Sequence, residues 1–252
     1  MTYDTVIVGS HVVLPTGIID KNLVLDDGKI IGLTNEMPSA DRKINADGLL
    51  ALPGVIDTHV HYGVYSPIEH AAISESHAAA IGGITTMMRM LRLGDSYKNS
   101  LSPQLNASSK SHYVDYAIHA SIFNLKQADE MQYCLENGVT SFKLYMNLGG
   151  EVDHVYMDME PGKNLLQEEH VEVTSEIVQK VVKNASLLGC PVLVHAEDYE
   201  ECGCGIKKAR EKNLDGLHAW SESRPSESEI KSIKTISKYA RDSNCVLYFA
   251  HI

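Results

Sequence analysis

The first fifty residues carry short apolar stretches of strand length with turns between them. The stretches at 5–8, 22–25 and 29–33 are rich in β-type residues, and Asp26-Asp27-Gly28 separates the last two. No stretch in this region has the apolar spacing of an amphipathic helix. We therefore predict a small β domain at residues 1–50.

Beyond residue 50, apolar strand-like runs alternate with helix-like segments. The strand candidates are 54–61, 85–90, 114–122, 141–146, 191–197 and 246–252. The helix candidates are 68–81, 126–137, 168–188 and 226–242, the last entered through Arg224-Pro225. A strand followed by a helix, repeated along the chain, predicts βα units and a parallel sheet.

The number of strands leaves two architectures open. Six strands can be counted, whereas a closed (β/α)8 barrel needs eight. The last strand runs to Ile252, and no helix follows it. The chain is therefore expected to form either an open six-stranded sheet or a barrel that is incomplete at its C-terminal end. The chemistry described below favours the incomplete barrel, over residues 51–252.

Charge and composition narrow the classes of partner. The formal net charge is −11, which repels phosphate backbones and argues against nucleic acid. No apolar run has the length that spans a bilayer, and the first residues lack the features of a signal peptide. The five cysteines are sparse and odd in number, which indicates reduced thiols and a cytoplasmic location.

The first candidate chemistry lies at the end of the first strand of this region, in Asp57-Thr58-His59-Val60-His61. Residues two apart point to the same face of a strand, so Asp57, His59 and His61 share a face. Two imidazoles placed in this way can reach one metal ion. An isolated pair is more often two polar residues at a strand end. Asp57 either orients a histidine ligand or hydrogen-bonds the backbone.

A lysine lies inside the apolar strand Ser141-Phe142-Lys143-Leu144-Tyr145-Met146. Burial of a lysine is costly unless its charge is neutralised or paired. Desolvation lowers the pKa of the amine and makes it nucleophilic, so that it can add carbon dioxide and form a carbamate. Taken alone, Lys143 is at least as well explained by pairing with a buried acid.

Two further histidines follow apolar strands. His195 comes after Val192-Leu193-Val194, and His251 comes after Leu247-Tyr248-Phe249-Ala250. Ligands and catalytic groups gather at the carboxyl ends of parallel strands. A single histidine at such a place would carry little weight. Four histidines and a lysine on strands one, four, five and six form a joint pattern that chance rarely produces.

This set of residues resembles the amidohydrolase superfamily, and within it the cyclic amidases: hydantoinase, dihydropyrimidinase, allantoinase and dihydroorotase. The similarity extends over nearly the whole chain. The segments that carry it are 52–61, Gly82-Gly83-Ile84-Thr85-Thr86, 138–143, His195-Ala196-Glu197 and Ser223-Arg224-Pro225.

The resemblance implies a binuclear centre, with His59 and His61 on one divalent metal ion and His195 and His251 on the other. Carboxylated Lys143 would bridge the two ions, which are zinc by default. A hydroxide shared by the ions would attack the amide carbon of a small cyclic substrate. The resemblance also implies a (β/α)8 barrel, half of a β-sandwich at residues 1–50, and a homotetramer.

The family's proton-shuttling aspartate lies at the end of the eighth barrel strand, so we expect it beyond residue 252. We therefore expect the general base to be absent from these 252 residues and expect them to be inactive when expressed alone. The full protein is expected to be a hydrolase of C–N bonds in cyclic amides.

Several positions indicate the substrate. Gly63 stands where dihydroorotases carry an arginine, and Met90-Leu91-Arg92 stands where they carry an asparagine after the second strand, so both count against that activity. The segment 116–122 and the run from Ser141 to Met146 favour hydantoinase or dihydropyrimidinase, although Leu148 replaces their substrate-contacting tyrosine. We expect hydantoin or dihydropyrimidine hydrolysis, with allantoinase and dihydroorotase as alternatives. A non-catalytic scaffold protein is the alternative from another class.

The remaining histidines match no ligand position and are interpreted as ordinary surface or core residues. They are His11, His70, His77, His112, His119, His154, His170 and His218. Cys202-Gly203-Cys204 does not have the spacing of a zinc ligand pair and has no second cysteine pair to complete a site.

Overall fold

A computed structural model describes residues 2–252, which divide into two units. The first ends at Val55 and the second runs from Ile56 to Ile252. Among the described residues, no helix combines the length and apolar character needed to cross a bilayer.

The first unit is made of short strands, as the alternating pattern predicts. They are β1 (Tyr3–Val8), β2 (His11–Leu14), β3 (Gly17–Asp20), β4 (Asn22–Asp26), β5 (Lys29–Thr34), β6 (Ala40–Asn45) and β7 (Leu50–Ala51). They form one sheet in the order β5-β4-β1-β6 and a second in the order β3-β2-β7. Val6, Val8 and Val24 form a small buried cluster in the first sheet.

The second unit contains strands, helices and one hairpin. The strands are β8 (Val55–Val60), β9 (Ile84–Leu91), β10 (Asp115–Ser121), β11 (Ser141–Tyr145), the hairpin strands β12 (His154–Met157) and β13 (Gln167–His170), β14 (Val192–His195) and β15 (Leu247–Phe249). The helices are α1 (Ile68–Ile81), α2 (Tyr97–Ser108), α3 (Leu125–Asp129), α4 (Met131–Glu136), α5 (Ser175–Leu188), α6 (Tyr199–Glu211), α7 (Gly216–Glu222) and α8 (Ser226–Ser243).

Six of these strands form one sheet in the order β15-β14-β11-β10-β9-β8, and the pairings from β9 to β15 are parallel. The order follows the chain, as successive right-handed βα units require. The predicted α/β class and the partial (β/α)8 barrel with six of its eight strands are confirmed. The main core lies between this sheet and its helices, where Val178, Val181 and Val182 of α5 are buried.

Several predicted helices differ from the structure. The segment 168–188 was expected to be one helix, but its first residues pair with β12 as β13, and the helix begins only at Ser175. Thr174 caps the N-terminus of α5, because its side chain accepts a hydrogen bond from the Ile177 amide. The segment 126–137 breaks into α3 and α4 at Glu130.

Three helices were not predicted: α2, α6 and α7. Helix α2 is polar overall and contains Pro103, and α6 contains Gly203 and Gly205, so neither shows a clear helical pattern. Helix α8 was predicted from Arg224-Pro225 at its entry, and the structure confirms it.

Candidate metal centre

The predicted ligand residues lie at or next to the carboxyl ends of strands in the main sheet. His59 is in β8 and His61 follows it, Lys143 is in β11, His195 ends β14, and His251 follows β15. Parallel strands present these ends at one edge of the sheet, so residues far apart in sequence meet there.

The histidine rings form a continuous cluster. The Nε2 atoms of His59 and His61 are 3.2 Å apart, and the ring centroids of His195 and His251 are 4.6 Å apart. The rings of His59 and His251 join the two pairs at 5.5 Å. Because β8 and β15 are the two edges of the sheet, this short distance shows that the sheet curves back on itself.

The histidines are arranged as two pairs rather than as one compact trio. No three of these four described residues have ring nitrogens that all lie within 4.8 Å of one another. A single-ion site would need such a trio, whereas two ions about 3.5–4 Å apart would each use one pair. The four rings thus form two pairs, one from His59 and His61 and one from His195 and His251.

Lys143 is fully buried, and its Nζ has no hydrogen-bond partner among the described residues. The alternative explanation, a pair with a buried acid, is therefore not observed. The Nζ lies 5.1 Å from the ring centroid of Tyr145, whose ring faces His195 at 6.2 Å. Burial lowers the pKa of Lys143 to about 8, which brings the neutral amine within reach of neutral pH.

The imidazoles of the first pair are neutral at pH 7. Burial, followed by the charge of Lys143, lowers the pKa of His59 to about 4. Burial, followed by the charge of Arg92, lowers the pKa of His61 to about 3. Burial, followed by His195, also lowers the pKa of His251. Neutral imidazole is the form that offers a lone pair to a metal ion.

Neighbouring polar groups orient two of the ligand candidates. The Asp57 carboxylate accepts a hydrogen bond from the His59 backbone amide at 3.1 Å, which is one of the two roles considered for it. His195 Nε2 lies 2.5 Å from the Glu197 carboxylate, so Nδ1 remains for another partner. The hydrogen bond from His195 lowers the pKa of Glu197.

His251 differs from the others in its backbone. Its φ is +46°, in the left-handed region that non-glycine residues seldom adopt. Strained backbone of this kind is concentrated at functional sites. The turn after β15 directs the ring toward His195 and His59, which the strand alone would not do.

One residue beside the cluster, His119, was given no role by sequence reasoning. It was interpreted as an ordinary surface or core residue, and it is buried in β10 with its Nε2 3.1 Å from the Thr58 carbonyl oxygen next to His59. Burial lowers the pKa of His119. No sequence signal distinguishes it, because its position in the middle of an apolar strand looks like core packing.

A cavity of about 370 Å³ opens at His195 and His251. Its other lining residues are Asn147, Ala196, Glu197, Trp220, Arg224 and Glu229. Three polar atoms on this wall lack hydrogen-bond partners among the described residues: Asn147 Oδ1, Arg224 Nε and Arg224 Nη1. These three atoms are themselves buried behind the cavity surface, and Arg224 Nη1 lies 3.9 Å from the Glu197 carboxylate.

Gly63, the position where dihydroorotases carry arginine, has no room for a side chain. Its φ is +98°, and an added Cβ would lie 2.6 Å from Nη2 of Arg89. Arg89 is itself buried, bonded to the Tyr62 carbonyl, to Gln104 and to Asp158. The local packing therefore excludes an arginine side chain at position 63.

The chain is similar to curated allantoinases and to solved hydantoinase structures. No protein-family model matches the chain. The chain is 28% identical over 255 residues to an allantoinase of Solibacter usitatus, covering 99% of this chain and 52% of that protein. An allantoinase of Desulfitobacterium hafniense is 27% identical over 258 residues, covering 99% and 53%.

Solved structures share the fold. L-hydantoinase (dihydropyrimidinase) from Arthrobacter aurescens superposes with a TM-score of 0.83 at 20% identity, over 100% of this chain and 53% of that one. A D-hydantoinase superposes with a TM-score of 0.82 at 23% identity, over 99% and 52%. The chain thus spans about half the length of the relatives it matches. The chain is thus similar in sequence to proteins named allantoinase and in fold to proteins named hydantoinase or dihydropyrimidinase.

Proposed function

We propose that the protein hydrolyses a C–N bond of a small cyclic amide, with these residues forming its metal centre. The observation that carries the proposal is the meeting of four histidines with a buried lysine at the carboxyl edge of a parallel sheet. A scaffold protein would have no use for a buried lysine amine without a partner, because its burial costs free energy.

The residues fit the metal ions that the resemblance implies. His59 and His61 would hold one divalent ion, zinc by default, and His195 and His251 the other. The neutral amine of Lys143 would add carbon dioxide and lose a proton, and the resulting carbamate oxygens would be the ligands that Lys143 supplies to the ions. When bound, such ions lower the pKa of a water molecule and polarise a carbonyl group.

The chain's own residues would bind and orient the substrate. Asn147 and Arg224 line the cavity beside His195, and their side chains would hydrogen-bond the amide groups of a bound ring. Glu197 holds His195 through Nε2, and Asp57 holds the backbone of His59. We assign proton transfer to the leaving nitrogen to none of the described residues.

Hydantoin or dihydropyrimidine is the proposed substrate class. Dihydroorotate carries a carboxylate, and Gly63 leaves no space for the arginine that would bind it. Arg92 is the cation whose charge acts most strongly on His61, and its Nε lies 3.9 Å from the Asp158 carboxylate, which it shares with Arg89. Allantoin is the second candidate, because the curated relatives described above are named allantoinases. We also propose that the protein acts as a homo-oligomer.

A substrate panel tests the activity. Ring opening of hydantoin, dihydrouracil, allantoin and dihydroorotate would be measured on the product of the complete reading frame, with zinc and bicarbonate supplied. We expect a higher kcat/KM for hydantoin or dihydrouracil than for dihydroorotate. Fastest turnover of allantoin would select the second candidate. A preference for dihydroorotate would refute the substrate class, and no turnover with both metal positions filled would favour the scaffold alternative.

The lysine can be tested without activity. Protein prepared with carbon-13 bicarbonate should show a carbamate resonance that disappears in Lys143→Ala. Lys183→Ala, which changes an exposed lysine on α5, is the matched control and should keep the resonance. A carbamate signal that survives in Lys143→Ala would contradict the assignment.

A further inference from the structure

The hairpin of β12 and β13 carries a second group of metal-type side chains. His154 lies directly opposite His170 in the antiparallel register, and Tyr156 lies opposite Glu168. Residues at alternate positions share a face, so His154, His170 and Glu168 project from the same side of the hairpin. All three are exposed.

The ligand atoms of these residues are close enough to share one ion. One nitrogen from each histidine and one oxygen of Glu168 all lie within 4.8 Å of one another. His154 Nδ1 is 2.7 Å from Glu168 Oε1, and the two histidine rings are 5.8 Å apart and nearly perpendicular. A small closing movement of exposed side chains would bring the three atoms to coordination distance.

Asp153 hydrogen-bonds His170 and fixes the orientation of its ring. Its Oδ2 lies 3.0 Å from His170 Nδ1, so that nitrogen carries the proton of the hydrogen bond when the ring is neutral. Nε2 of His170 is then the nitrogen with a free lone pair. A carboxylate that holds the far nitrogen of an imidazole is the usual support of a histidine metal ligand.

We propose that His154, His170 and Glu168 form a second metal site, which takes one divalent transition ion of the zinc class. Two imidazoles and one carboxylate suit zinc, and water can occupy the remaining position because the site is open to solvent. The site uses no residue of the four-histidine cluster and does not depend on the proposed function. The competing explanation is that these residues form only surface ion pairs, which contribute little to stability.

The bound ion would hold the hairpin in register beside the candidate metal centre. The residues just after β12 are anchored there, because the Asp158 amide donates to the Arg92 carbonyl and the Met159 amide donates to the Gly63 carbonyl, both at 2.8 Å. Gly63 is two residues from His61. An ion that ties β12 to β13 would therefore stiffen a segment that borders the site.

Zinc counting on the 252-residue chain tests the proposal, with zinc alone as the probe. The four-histidine cluster is first disabled by His59→Ala, His61→Ala and His251→Ala, so that any remaining site is seen separately. We expect this background to retain one equivalent of zinc per chain after equilibrium dialysis. Adding His170→Ala should remove it, whereas adding His218→Ala, an exposed histidine on α7, should not.

Two further variants distinguish the loss of a zinc ligand from the loss of folded structure. Glu168→Gln keeps the hairpin backbone and should still lose zinc, with an unchanged far-UV spectrum. Asp153→Asn should weaken zinc binding by about 10–100-fold, as expected for a residue that supports a ligand. Cobalt in place of zinc should give the visible absorption of a four-coordinate site in the same background. A background that binds no zinc, or one that keeps its zinc after His170→Ala, would overturn the proposal.

Discussion

The buried ion pair of Arg89 and Asp158 allows a quantitative prediction. Nη2 of Arg89 is 2.6 Å from Oδ2 of Asp158, and the two side chains are 1% and 0% exposed. Burial raises the pKa of Asp158, and the charges of Arg89 and Arg92 oppose that rise. Arginine stays protonated at any accessible pH, so removal of the carboxylate leaves a buried cation without its counter-charge.

Asp158→Asn is the chosen change, because it keeps the size of the side chain and removes the charge. Breaking a buried pair at one partner costs about 3–5 kcal/mol. Arg89 would keep its hydrogen bonds to the Tyr62 carbonyl and to Gln104, at 3.0 and 3.3 Å. The lost free energy of unfolding would therefore reflect the missing charge and not only missing hydrogen bonds. Urea unfolding followed by far-UV circular dichroism should show a midpoint lower by about 1–2 M.

Two controls decide the interpretation. Asp129→Asn removes a pair with Lys180 whose side chains are 64% and 33% exposed, and should cost no more than about 1 kcal/mol. Arg89→Met combined with Asp158→Leu removes both charges of the pair and should recover part of the lost stability, because Arg92, 3.9 Å from Asp158, still loses its neighbouring carboxylate. A loss below about 1 kcal/mol in Asp158→Asn would refute the reasoning, since that is the range of an exposed pair.

Three other changes are expected to have measurable effects. Gly63→Ala should lower stability by about 1–3 kcal/mol in thermal unfolding, because φ is +98° and the new Cβ would meet the fixed Arg89 guanidinium; an unchanged Tm would contradict this. Gly205→Ala should destabilise the chain by a similar amount, since its Cβ would lie 2.6 Å from the Ser223 carbonyl oxygen, and hydrogen exchange on α6 would report it. The 252-residue chain by itself should self-associate in light scattering, because β8 and β15 are edge strands that carry exposed apolar residues such as Ile56 and Tyr248; a monomer would show that the edges are protected.

The placement of the candidate ligands could be predicted because it depends on local pattern and on a general rule. Apolar runs locate the strands, and repeated βα units make them parallel, so their carboxyl ends share one edge. His59, His61, His195 and His251 each come at or just after such an end, and the structure brings them together. Their binding of metal stays a prediction.

The hairpin of β12 and β13 could not be predicted in the same way. Gln167, Glu168 and Glu169 favour a helix by intrinsic propensity, and the following valines have helical spacing. Their strand conformation comes from pairing with residues 154–157, a contact between segments that local preferences do not record. The group formed by His154, His170 and Glu168 exists only because of that pairing.

The sequence by itself determined the class of fold, the order of the strands and the edge where chemistry would be found, since these depend on hydrophobic periodicity and chain connectivity. Only the tertiary structure decided which polar groups meet. Arg89 and Asp158 are 69 residues apart, and the contact of His59 with His251 needs the sheet to curve until its two edges approach. Curvature and long-range pairing arise from the packing of the whole unit, so no local stretch of sequence could show them.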